Sequence, residues 1–468
     1  SASRAGAGCS AEGGASALPE NEARFSLMAW AKAGARTDGA GSRPEADFAR
    51  MAEETRDYLT GPAPGGEAER ARRHETLNRA VLGFAEDRRR VLAWIQDFCL
   101  RNRWHDARSP YGKYGSLAEA IFAEIVGFNV LELLMADRDG LEEIQVVGTR
   151  IFEVRRGVAR PSVHRFKSVR EVERLQQNLV LFNQDRLTVR KRWAEVRLSD
   201  GARVTMTGFG FTAEPTLTIR FYPGGAVTLD ELCGEPYRTL DRKGAVLLRA
   251  AVKAAVNLVI AGATASGKTQ LLKALVAEMP EDERLVTIEP RFELMLDRAF
   301  PGRNIVQYEI DEDDPLHDGR QAFKLALRQS PNRILLAEIR DADANLYVRA
   351  CTRGHAGSVT TVHAGRLEDV PDAIADMCLQ DGRAVDHVRL VRRIATFVTE
   401  IGIETALAGG RRRIVRIGEF ERTGGDFRVR TLYAFDGRSE TWTCPEPPTP
   451  RLMERLKRAL PEWEAAAC

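Results

Sequence analysis

The sequence is poor in cysteine, in aromatic rings, in long apolar runs and in excess charge of either sign, and each shortage excludes something. Seven cysteines are scattered over 468 residues, at Cys9, Cys99, Cys233, Cys351, Cys378, Cys444 and Cys468. Their number is odd and none are paired as C-x-x-C, so neither a disulfide framework nor a zinc-ligand pattern is expected. The setting reads as reducing and cytoplasmic. Aromatics make up only 7% and are not interleaved with basic residues, as a channel for single-stranded nucleic acid would require. No apolar run is long enough to span a bilayer. The opening "SASRAGAGCSAEGGASALPE" has no apolar signal-peptide core. The net charge is only +2, with a pI near 8.1, so nothing pulls the whole chain toward nucleic acid or a membrane surface. A membrane role is expected to be peripheral, through a partner.

What remains is globular in texture, 44% hydrophobic and 29% charged, and long enough for two or three domains. Residues 1–65, rich in Ala, Gly, Ser and Pro, read as a mostly disordered tail with room for helical turns. Residues 66–113 read as a helical segment with apolar residues at helical spacing. An α+β domain is expected over 114–222. It opens with "SLAEAIFAEIVGFNVLELLMAD", where Ser116 and Glu119 have capping-box spacing. It continues through "EIQVVG", "RIFEVRRG", "WAEVRLSDGARVTMTGFGF" and "TLTIRFY" as strands, with "VREVERLQQNLVLFN" as a helix. Residues 223–240, beginning "PGGAVT", read as a linker. Residues 241–408 alternate apolar strands and helices, which implies a mostly parallel sheet covered on both faces. Residues 409–468 read as an antiparallel hairpin with a Gly-Gly turn, followed by a basic helix.

"GATASGKT", Gly262 to Thr269, satisfies G-x-x-x-x-G-K-[ST] in full. The buried strand "NLVIAG" enters it and the helix "TQLLKALVAEM" leaves it, which is the context the motif needs. Small residues let the N–H groups of Gly262, Ala263, Thr264, Ala265, Ser266 and Gly267 close around phosphate oxygens. The helix start at Lys268, Thr269 and Gln270 adds its positive end. Lys268 is expected to reach the β- and γ-phosphates of ATP, and Thr269 to ligate Mg²⁺. Such a site also needs an acid for the metal and a polar group for water. Glu289 in "RLVTIEP" and Glu338 in "RILLAEIRD" both stand just past apolar strands, where the crevice of a parallel sheet opens. Of two histidines around "GSVTTVHAG", His355 and His363, the second sits at a strand end where a γ-phosphate sensor would stand.

These stretches in their order, "GATASGKT", "TIEPRFEL", "LRQSPNRILLAEIRDADA" and "RGHAGSVTTVHA", resemble the secretion ATPases of type II and type IV systems. The Tad/Flp pilus-assembly branch looks most similar, on "IFAEIVGFNVLELLMADRDGLEEIQVVG", "RLSDGARV", "LTIRFY" and "RRRIVRIGEF" as well. The resemblance covers roughly residues 115–437. It implies an α/β fold with a RecA-like P-loop ATPase domain behind an α+β N-terminal domain. It gives Lys268 and Thr269 the Walker A roles. Glu338 becomes the Walker B glutamate, Glu289 and Glu293 acids of the aspartate box, and His363 the histidine-box residue. One of Glu289 and Glu338 would polarise water while the other organises Mg²⁺, with Glu338 favoured as the base. Arg203 and Arg220 are implied to reach the nucleotide from the N-terminal domain, with Arg328, Arg333 and Arg340 as further candidates. The resemblance also implies a homo-hexamer with each nucleotide between the two domains of a subunit; a hinge at "YPGGAVT" fits a closing and opening about it. Its partner would be an inner-membrane platform protein, and its place the inner face of the cell membrane. Three stretches depart from the family pattern: Pro290 follows Glu289 where an acid is usual, Phe128-Asn129 replaces Gly-Pro, and Ala337 replaces Gly. The other readings of the same loop are a nucleic-acid translocase and a nucleotide-gated binding protein.

Overall fold

The structure, a computed structural model, describes residues 42–61, 66–104, 114–181, 187–222, 225, 227–311, 314–340, 343–380, 386–424, 426–461 and 463. They form two compact units, one within Ser1–Leu77 and Glu86–Asn129, the other within Asn78–Ala85 and Val130–Cys468.

The first unit is helical. Residues Ser42–Thr60 form a 19-residue helix where a tail was expected; residues 1–41 of that tail lie outside the described residues. Tyr58 stacks on Phe98 of the helix Ala85–Arg101, with ring centroids 4.4 Å apart, and Arg73 lies 4.6 Å over the Tyr58 ring. "SLAEAIFAEIVGFNVLELLMAD" is not one continuous helix. It breaks into Leu117–Ile125 and Leu131–Ala136, and Asn129 between them has φ +53°. Only half of the capping box forms. Ser116 Oγ accepts from the Glu119 N–H at 3.2 Å, while the Glu119 carboxylate accepts from Gly115 N.

The second unit contains two sheets. The first has six antiparallel strands: β1 (Leu141–Val147), β2 (Arg150–Arg155), β3 (Val158–Arg165), β4 (Trp193–Arg197), β5 (Arg203–Thr207) and β6 (Thr216–Arg220), in the order β3-β2-β1-β6-β5-β4. Period-two alternation buries one face: Ala194, Val196, Val204, Met206, Leu217 and Ile219 turn inward. The helix Val169–Leu181 covers that side with Val172, Leu175 and Leu179, and Gln176 Nε2 donates to the carbonyls of Thr207 and Thr216. The opposite face carries charge in register. Glu143 pairs with Arg220, Arg220 with Arg203, and Arg203 with Arg197.

Nine strands make the second sheet: β7 (Leu258–Gly262), β8 (Leu285–Glu289), β9 (Ile305–Glu309), β10 (Arg333–Leu336), β11 (Val359–Val362), β12 (Ile401–Ala408), β13 (Arg411–Thr423), β14 (Asp426–Asp436) and β15 (Thr441–Thr443). Their order is β15-β14-β13-β12-β7-β11-β10-β8-β9. From β12 to β9 every pairing is parallel. Every residue of β7, β8, β10 and β11 is buried, because helices and apolar cores cover both faces. The expected C-terminal hairpin is β13 with β14, and together with β15 it extends the same sheet antiparallel beyond β12. The expected linker is largely packed. Thr228 and Glu231 form a full capping box on the helix Leu229–Cys233, and Leu229, Leu232 and Leu240 enter the core. Residues 223, 224 and 226 of the expected hinge lie outside the described residues. No described helix is long and apolar enough to cross a membrane. Cys99, Cys233 and Cys351 are free thiols.

Candidate functional site

The loop after β7 has its shape because two positions carry no side chain. A Cβ on Gly262 would collide with the Thr405 carbonyl oxygen and lie 2.6 Å from Ser266 Oγ, so any other residue would force backbone apart. Gly267, at φ +97°, is the left-handed cap of the helix Lys268–Ala277. Thr405 on β12 holds the loop from below. Its hydroxyl donates to the Ala261 carbonyl at 3.1 Å, so the 2.8 Å contact with Ser266 is donated by Ser266. Ala263, Thr264 and Ala265 remain exposed. The N–H groups of Lys268, Thr269 and Gln270 have no intrahelical acceptor, as at any helix start, and the helix dipole favours an anion there.

This surface fits a magnesium nucleotide. Gln270 Nε2 is buried without a hydrogen-bond partner, and Thr269 stands half-buried at the same helix start. Among the described residues no cluster of three His, Cys, Asp or Glu side chains could hold a metal alone.

Lys268 connects the loop to two neighbouring strands. Its Nζ donates to the carbonyls of Gly262 and Ala263 at 2.8 and 2.9 Å, and lies 3.4 Å from His363 Nδ1. On the far side of the ring, His363 Nε2 is 2.9 Å from Glu338 Oε1, and the other Glu338 oxygen pairs with Arg340. An ammonium has no lone pair, so the neutral imidazole must accept at Nδ1 and donate from Nε2 to the carboxylate. Burial lowers the His363 pKa below its ordinary 6.5; the Lys268 charge adds to this, and Glu338 opposes it. Burial also lowers Lys268 below 10.5, against Glu338 and with help from Arg220. Thr361 sets Glu338 in place: its hydroxyl donates to the Ala337 carbonyl at 2.7 Å, and its own carbonyl accepts from Ile339 N at 2.9 Å. The residue between those two bonds is Glu338.

Glu289 departs from the expectation of an open strand end. Its side chain is fully buried. Oε2 accepts from the N–H groups of Glu293 and Leu294 at 3.0 and 2.9 Å, and Oε1 from the Thr287 hydroxyl at 3.1 Å. Three protein donors therefore occupy the carboxylate that was expected to serve metal or water. Burial raises its pKa to about 7, partly offset by those hydrogen bonds. Beneath it on the loop helix, Lys273 is buried, which lowers its pKa to about 8, with Glu289 and Glu293 pulling the other way.

The arginine candidates separate. Arg220, 3.6 Å from Glu143, is near enough for its charge to act on Lys268. Arg203 pairs instead with Glu195, and feels Tyr222 and Glu293 rather than the loop lysine. Tyr222 in turn donates to Glu293 at 3.1 Å. Arg333 is a correction: it begins β10 at the amino end of the sheet, buried, binding Glu283 and the Val252 carbonyl. Arg328 is exposed. His355 is a turn residue whose carbonyl accepts from Ser358. Three contributors to the site carried no sequence signal: Thr405, Thr361 and Arg412. Arg412 lies in a written arginine triplet, but nothing marked it as different from its neighbours.

The model of the type II/IV secretion system protein family matches residues 162–409, just over half of the chain. A type IV secretion system protein PtlH of Bordetella pertussis is 34% identical over 209 residues, covering 43% of this chain and 60% of that protein. A type IV secretion system protein VirB11 of Bartonella henselae is 46% identical over 120 residues, 25% of this chain and 33% of that protein. The matched region thus spans less than two thirds of either relative. Among solved structures, the VirB11 ATPase of Brucella suis aligns at 26% identity and TM-score 0.34 over 64% of this chain and 95% of its own. The Legionella pneumophila ATPase DotB aligns at 20% identity and TM-score 0.45 over 72% and 85%. With its phosphate loop on a mostly parallel sheet that follows an antiparallel N-terminal one, the chain belongs to the type II/IV secretion system protein family.

Proposed function

We propose that this protein hydrolyses Mg-ATP and uses the reaction to move its N-terminal sheet against its phosphate-loop domain, as the motor of a secretion, conjugation or Tad/Flp-like pilus-assembly system. The observation that carries the reading is the unbroken chain Lys268–His363–Glu338 across the ends of β7, β11 and β10. Phosphoryl transfer asks the protein mainly for positioned charge and an oriented water. Lys268 and the loop N–H groups hold β- and γ-phosphate oxygens. Thr269 would hold Mg²⁺ through its hydroxyl, and the ion would supply charge neutralisation at the phosphates. Glu338, held at a strand end with one oxygen on His363, is the base that orients water. His363 stands between lysine and base, where loss of the γ-phosphate would change both of its partners.

Arg220 belongs to the N-terminal sheet and can pair with phosphate only while that sheet lies against the loop. Hydrolysis and release remove the anion that holds it there, so opening follows. The reading includes a homo-hexamer, a cytoplasmic protein peripheral to the inner face of the membrane, and a membrane platform protein as the recipient of force. The PtlH and VirB11 relatives, named as type IV secretion system proteins, support this class of system. Purified protein should hydrolyse ATP, and Lys268→Ala should abolish measurable turnover. ATP hydrolysis by Lys268→Ala at the parent rate would sink the reading.

A further inference from the structure

β13 opens with three arginines, and each reaches a different part of the protein. Arg411 bonds Glu235 at 2.8 Å. Arg413, buried, lies 4.6 Å over the Phe435 ring and binds the carbonyls of Ala408 and Arg238. Arg412 does something neither neighbour does. Its Nε donates to the Ala265 carbonyl in the phosphate loop at 2.8 Å. Its two terminal nitrogens make a fork on Glu142 of β1, at 2.8 and 2.6 Å. All three guanidinium nitrogens are thus engaged, two by the N-terminal sheet and one by the loop. A planar fork is needed for that, and an ammonium could not replace it.

Both ends of the contact matter for the proposed chemistry. Ala265 is a non-glycine residue at φ +61°, so the loop is tethered at a conformation its backbone does not favour by itself. Glu142 precedes Glu143, which is in register with Arg220 on β6 and 3.6 Å from its Nε. The carbonyl of Glu142 also accepts from Phe221 N, the residue after Arg220. A short path therefore runs from the loop through Arg412 and Glu142 to the strand end that presents Arg220.

We propose that Arg412 is a positioning residue, a strut that fixes the N-terminal sheet to the phosphate loop so that Arg220 stands at the reach of the bound phosphates. The bland alternative is a half-exposed ion pair of little consequence, which is the usual worth of such pairs. Two features argue against it: the fork is bidentate, and the third nitrogen is on the loop itself. The inference rests on the ATP-hydrolysing reading above.

The test uses the full chain and three variants: Glu142→Gln, Arg220→Ala and the double variant. Nucleotide affinity is measured with a fluorescent ADP, turnover by phosphate release, and folding by thermal melting. Glu142→Gln should lower kcat by about tenfold, the scale of a modest loss of transition-state positioning, with ADP affinity changed by less than about threefold. In the Arg220→Ala background Glu142→Gln should add little, because the strut acts through Arg220. Three results would overturn the proposal: kcat within twofold of the parent, kcat losses that multiply in the double variant, or a lower melting temperature with kcat unchanged. If the parent itself bound no nucleotide, the functional reading would fall with it. If the parent turned over ATP and Glu142→Gln matched it, only the strut would fall.

Discussion

β8 and β10 lie side by side, run parallel and each lead into a glutamate, yet the two carboxylates have opposite surroundings. Ile288 is in register with Leu336. Glu289 is one residue beyond that pair and still the last residue of β8, whereas Glu338 is two beyond, in the bend after β10. The segment after each strand then completes the difference. Beyond Glu289 the chain curls so that the N–H groups of Glu293 and Leu294 return to the carboxylate. Beyond β10, Thr361 pins both residues flanking Glu338 and leaves the carboxylate to His363 and Arg340. A strand-end acid is therefore not a role. The path of the chain around each strand end decides between a buried turn-holder and a group bonded to His363 beside the phosphate loop.

The comparison breaks most sharply under paired substitutions. Glu338→Gln keeps the size and removes the base, so turnover should fall by about 10²–10⁴-fold, with nucleotide binding kept within a few-fold. Glu289→Gln preserves an acceptor for the two N–H groups and a donor for Thr287, so it should lower turnover at least tenfold less than Glu338→Gln does. Equal losses would mean that the two carboxylates do not differ in role. Glu289→Ala, by contrast, strands those buried donors and should cost about 1–3 kcal/mol of stability, read by denaturant or thermal unfolding.

The pH dependence sharpens the same contrast. Glu289 binds its proton more tightly folded than unfolded, at about 7 against 4.5. Its contribution to stability is thus full below about 4.5 and lost as pH rises through about 7; Glu289→Gln should flatten that part of the stability profile. His363 shifts the other way, below 6.5. Its contribution is present above 6.5 and lost only as pH falls through its lowered folded pKa. The acid limb of the kcat profile should therefore lie below 6.5, and a His363→Asn variant should lack it. This is the smallest of the expected effects and needs a full pH series to resolve.

Much of the fold was legible because its signals are local. The all-buried strands β7, β8, β10 and β11 stand out as apolar, β-branched runs, and the loop motif between strand and helix needs only its own residues. Strands without such a signal were missed. β3 is exposed at nearly every position and contains Pro161, so it shows no alternation; β9 has no fully buried residue and β15 is three residues long. The break at Asn129 was hidden because apolar residues continue on both sides of it. Arg333 was a candidate only through the family resemblance. It lies at the amino end of β10, and a parallel sheet places chemistry at the other.

The sequence by itself determined that a glycine-rich loop joins a strand to a helix, that Lys268 and Thr269 follow its last glycine, and which family's motifs surround it, since these depend on residue types at fixed short spacing. Only the tertiary structure decided which acid faces that loop and which arginine braces it. Glu338, His363 and Lys268 are brought together by strand order, and Arg412 reaches Ala265 from 147 positions away. Strand order and such long-range contacts depend on how distant segments pack, which no local pattern records.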